Sequence, residues 1–92
     1  MQVNELPSSF WVLLYRDVSP WRPVMLTPGL ITAFSTHTLA GEFLARVRNP
    51  AWEVRLVVRP TFAAQAAQFR QQGATGITFD AEGTLIPFGE EM

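Results

Sequence analysis

The chain has no cysteine, no lysine and a single histidine. Without cysteine there is no disulfide framework and no thiolate zinc site, so the core or an oligomer interface must supply all of the stability. Any metal site would have to combine His37 with carboxylates. Glu42 lies five residues on, off the three- or four-residue step that shares a helix face. Asp80 and Glu82 are separated by Ala81 and followed by Gly83, which breaks calcium-loop spacing. No metal, cofactor or catalytic group is expected from these residues.

Charge is also scarce. Charged residues make up 16% of the chain, against about 25% in ordinary globular domains. All seven cations are arginine and the net charge is −1. The arginine bias reads as GC-rich coding, because no dense basic stretch supports guanidinium recognition of an anion. A near-neutral chain lacks the electrostatic footprint of a nucleic-acid binder. Long apolar runs are missing too. FWVLLY falls far short of the roughly 20 residues of a membrane span, and MQVNELPSS has no basic region of a signal peptide. The expectation is a cytoplasmic protein with neither membrane nor nucleic acid as a partner.

What is present is apolar surface on a small scale. The 92 residues suit one domain, and 48% of them are hydrophobic. A small domain has much surface to cover and here few charges to cover it with, which points to a self-association or partner surface.

Residues 1–9 read as a polar leader, 10–89 as the domain and 90–92 as a tail. Phe10–Arg16 is apolar at both parities, as in a strand covered on both faces or on one face plus an interface. Asp17–Pro23 is a proline-rich turn, and Val24–Leu26 reads as a short return strand. Leu30–Phe34 is a strand, with Ser35 or Thr36 as cap of the helix that follows. Leu39, Ala40, Phe43, Leu44 and Val47 form that helix's apolar stripe, and Gly41 is read as allowing close packing on the sheet. Asn49-Pro50 stops it.

Trp52–Arg59 alternates, with Trp52, Val54, Leu56 and Val58 on the face expected to be buried. Thr61 is expected to cap a second helix, whose core face is Phe62, Ala66, Phe69 and Gly73. Gly73 is placed as its left-handed end. Thr75–Asp80 is a strand, Asp80–Gly83 a tight turn, and Leu85–Phe88 an antiparallel return. Pro87 confines that return to an edge.

The predicted class is α/β (α+β), with a single mixed sheet in the element order β-β-β-α-β-α-β-β and two helices packed on the sheet. Crossover units place their strands in parallel. Strands near 30–34, 52–59 and 75–79 are therefore expected at the centre, with the N-terminal pair and the last strand as antiparallel edges.

This layout resembles the SseB N-terminal-domain family of small bacterial α/β domains. The resemblance lies in the first hairpin, FWVLLYRD then PVML, and in ITAFSTHTLAGEFLARV, where a strand runs into a helix at an AFS step. It continues in QFRQQGATGITFDAEG, where a glycine closes a helix and a strand meets an Asp-x-x-Gly turn. It covers most of the chain and implies a fold but no activity, because it brings no catalytic residues.

Two functional expectations follow. The first is a non-enzymatic interaction domain whose partner is itself, as a homodimer, or another protein. Trp11, Leu13, Tyr15 and Trp21 of the aromatic hairpin would form the interface. Trp21, between two prolines, is read either as a partner contact or as folded back on its own hairpin. The alternative is a small ligand-binding domain or enzyme with a cleft at the carboxyl ends of the parallel strands. Ser35, Thr36, Arg59, Thr61 and Asp80 would line that cleft. His37 beside Ser35 does not make a catalytic set, because all of these lie in one helix start.

Overall fold

The molecule is organised around its first strand. The computed structural model describes residues 6–80 and the backbone of 84–87. Among them the elements are β1 (Ser9–Tyr15), β2 (Leu30–Phe34), α1 (His37–Val47), β3 (Trp52–Val58), α2 (Arg59–Gln71), β4 (Gly76–Phe79) and β5 (Thr84–Pro87). The strands form one mixed sheet in the order β3-β1-β2-β4-β5. The class is therefore α+β with a single sheet and two helices.

The strand order differs from the expectation. β1 is not an edge: it pairs antiparallel with β3 along Ser9–Tyr15 and with β2 at Trp11 and Val12. β2 and β4 are neighbours in parallel, while β3 is displaced to the outside. The reason is the double parity of FWVLLY. Phe10, Val12 and Leu14 are buried against Phe62 and Phe69 of α2. Leu13 is buried on the opposite face with Ala40 of α1, flanked by Trp11 and Tyr15. A strand that is apolar on both faces is satisfied only where both are covered, which is the sheet centre.

The helices thus lie on opposite faces. α1 carries the chain from β2 leftward over β1 to β3, and α2 carries it back beneath β1 and β2 to β4. Aromatic contacts tie each layer together: Phe10 meets Phe62 and Phe79 edge-on at 5.3 and 5.5 Å, and Phe43 lies 5.2 Å from Phe34.

The return strand at Val24–Leu26 does not form. Residues 22–24 instead complete the far end of β1: the Tyr15 N–H donates to the Arg22 carbonyl and the Val24 N–H to the Leu13 carbonyl, both at 3.0 Å. Leu14 and Pro23 form an isolated bridge. Pro20 and Pro23 have no N–H to donate, so the pairing stops before it becomes a ladder.

Local signals fare unevenly. Thr36 caps α1, its Oγ1 accepting from the Leu39 N–H at 3.1 Å. Thr61 does not cap α2. That helix starts at Arg59 behind Val58, without a side-chain cap, and Pro60 in its first turn needs no acceptor. Gly73 has φ +104 beyond the end of α2, as a left-handed residue should, but it is exposed and adds nothing to the core face. Gly41 faces open space, with no neighbour where its Cβ would stand, so it does not serve close packing. β5 lies at a sheet edge, where Pro87 requires it to be. The turn role given to Gly83 lies outside the described residues. No helix among the described residues is long and apolar enough to cross a membrane.

Candidate functional site

The carboxyl ends of β2, β3 and β4 lie along one rim of the sheet, with the start of β1 between β2 and β3. This separates the five polar residues expected to share a cleft. Ser35 and Asp80 are together: Asp80 Oδ1 accepts from the Ser35 N–H at 2.8 Å and Oδ2 from the Ser35 hydroxyl at 2.7 Å. The Asp80 N–H donates to the Ala33 carbonyl at 2.9 Å. Thr36 is beside them and is occupied as the α1 cap.

Arg59 lies across β1. It donates from its N–H to the Ser8 carbonyl at 3.0 Å and from Nη2 to the Leu6 carbonyl at 2.5 Å. Thr61 is exposed in the first turn of α2.

An open α/β sheet offers a crevice where successive connections leave to opposite faces. Here that place, between the ends of β2 and β3, holds the chain's own Leu6–Ser8 segment. Leu6 is buried in the α2-side core, although the leader was read as polar. Chemically, the Ser35–Asp80 pair is a clasp. Both carboxylate oxygens are spent on Ser35, and His37, the one imidazole, stacks on Trp11 with ring centres 4.6 Å apart. The hydroxyl is held by the Asp80 carboxylate, and the His37 ring is engaged with Trp11.

The aromatic hairpin is largely built into the monomer. Leu13 is fully buried, and Trp11 and Tyr15 are half-buried against α1. Trp21 folds back onto the α2-side core. Its carbonyl accepts from the Gln68 and Gln72 amides, each at 3.3 Å, and its ring lies under the Arg55 guanidinium at 5.2 Å. Both edges of β1 are taken, by β3 on one side and by β2 and residues 22–24 on the other.

An open apolar surface lies on β3, one of the two edge strands. Leu56 and Val58, expected to be buried, are 51% and 46% exposed, whereas Val57, on the face expected to be polar, is 3% exposed. α1 explains this. It begins at the end of β2 and finishes at the start of β3, so it crosses the sheet diagonally and covers Trp52 and Val54 only. The far corner of β3, beside Trp11, stays bare.

On the other face Glu53 and Arg55 form an ion pair at 3.1 Å, and Arg16 stands 3.9 Å from the same carboxylate. Where α1 ends and β3 begins, Leu44, Arg48, Asn49, Pro50, Trp52 and Arg16 line an open cleft. The sequence signal for this surface was the alternation of Trp52–Val58 itself. It marks one apolar face but not how far a crossing helix reaches.

Among the described residues there is no cluster of three or more His, Asp or Glu side chains placed to hold a metal ion. No protein-family model, curated protein or solved structure matches the chain.

Proposed function

We propose that this chain is a non-enzymatic interaction domain that self-associates, and that the contact surface is the outer edge of β3 with its bare apolar corner. The observation that carries the reading is the combination of an edge strand and exposed Leu56 and Val58. Edge strands present unpaired N–H and C=O groups that template pairing with another chain. Domains that must stay single blunt such edges with lysine, proline or an inward charge. β3 has neither lysine nor proline. Its two charges are of opposite sign and lie on the face away from Leu56 and Val58.

The hairpin remains part of the picture as the support of this surface. β1 holds β3 in register over its whole length, and Trp11 stands directly beside Leu56. The clasped rim of Ser35 and Asp80 favours no ligand reading, because its polar atoms already satisfy one another.

Sedimentation of the wild-type chain and of a Leu56→Lys, Val58→Lys double variant tests the reading. The wild type should be dimeric at high micromolar concentration and the double variant monomeric, with unchanged circular dichroism. A wild-type monomer at that concentration would contradict it.

A further inference from the structure

We infer that the occupant of the β3 edge is a second copy of this chain, paired antiparallel about a two-fold axis centred on Val54. This deepens the self-association reading above and rests on it.

The backbone defines which groups are available. The Arg16 N–H donates to the Ala51 carbonyl at 2.7 Å and the Arg59 N–H to the Ser8 carbonyl at 3.0 Å. In an antiparallel ladder the inward-bonding residues alternate. Odd-numbered residues of β3 therefore bond to β1, and the N–H and C=O groups of Val54 and Leu56 face outward. A two-fold axis on Glu53 or Arg55 would set that charge directly against its own copy, which is unfavourable, so the pair centres on one of these even positions.

Centred on Val54, three features meet their complements. Glu53 falls opposite the partner's Arg55 and Arg55 opposite the partner's Glu53, in the closer, non-hydrogen-bonded kind of pair. Leu56 falls opposite the partner's Trp52, apolar on apolar and on the same face. Val58 falls opposite the partner's Pro50. The exposed side chains of one copy thus arrive at the cleft of the other, which Leu44, Pro50 and Trp52 help to line.

Val54 exchanges two hydrogen bonds with its own copy. The Leu56 N–H meets the partner's Trp52 carbonyl, which already accepts from Arg16 Nη2 at 3.3 Å and has a second lone pair. Centring on Leu56 is poorer. It sets Arg55 against the partner's Val57 and Glu53 against the partner's Arg59, which is committed to the Leu6 carbonyl.

Because the chain has no cysteine, single-cysteine variants read the register directly. Val54→Cys should give a covalent dimer under mild oxidation and Leu56→Cys should not. Preferential linking through Leu56→Cys would overturn the register and leave self-association standing. Wild-type dimers with neither variant linking would overturn this inference alone, and wild-type monomers would overturn both.

A second arm uses charge. Glu53→Arg and Arg55→Glu each place like charges opposite one another and should weaken homodimers roughly tenfold. In an equimolar mixture every arginine of one chain faces a glutamate of the other, so mixed dimers should recover wild-type affinity. A mixture no tighter than either variant alone would overturn the pairing.

Discussion

Asp80 has φ 61 and still directs both carboxylate oxygens to Ser35. Asp and Asn tolerate this left-handed region better than most side chains. The residue therefore turns the chain out of β4 and ties the ends of β2 and β4 together. Asp80→Ala loses the two charge-assisted bonds and keeps the unfavourable φ. It should cost about 1–3 kcal/mol in urea unfolding. Gly41 is the opposite case. It lies within α1 with open space around its Cα, so Gly41→Ala should raise stability by about 1 kcal/mol, read as a higher Tm.

At this scale the sequence was informative about caps and turns. The α1 cap, narrowed by sequence to Ser35 or Thr36, and the Gly73 left-handed end depend on neighbours a few residues away and are readable from spacing. The Asp80–Ser35 clasp joins residues 45 apart in the chain, so no local pattern could announce the pair's contact.

Among the elements, β1 and β3 exchanged places relative to the sequence expectation. The double apolar parity of Phe10–Tyr15 contained the information, since a strand buried on both faces belongs inside. A direct β2-α1-β3 crossover would have set β3 beside β2. Crossovers orient β2, β3 and β4 alike, as observed, but they do not forbid an antiparallel strand between them. The bare corner of β3 was illegible for a related reason. Alternation identifies a face, while coverage depends on the diagonal path of α1.

The ladder also makes adjacent positions of β3 respond differently to proline. The Leu56 N–H faces outward, so Leu56→Pro should remain folded by circular dichroism and weaken association more than tenfold, because it removes an intermolecular donor. The Val57 N–H faces β1 and the side chain is buried. Val57→Pro should destabilise the monomer by about 3 kcal/mol or more in urea unfolding.

For the whole molecule, the layers are asymmetric in what they leave open. The α2 side is sealed by Phe10, Phe62 and Phe69, with Leu6 of the leader folded in. The α1 side is sealed around Leu13 and thins out towards Leu56 and Val58. With no disulfide and few charges, the uncovered corner is where, under the proposed self-association, a second copy would add stability by mass action.

Residue-resolved amide hydrogen exchange, followed at low and high protein concentration, tests this account most directly. Glu53, Arg55 and Val57 bond to β1 and should be protected at both concentrations. Val54 and Leu56 face outward and should exchange rapidly when dilute and slow markedly when concentrated. Rapid exchange at Val54 and Leu56 at every concentration would show that the β3 edge takes no partner, and would contradict the account.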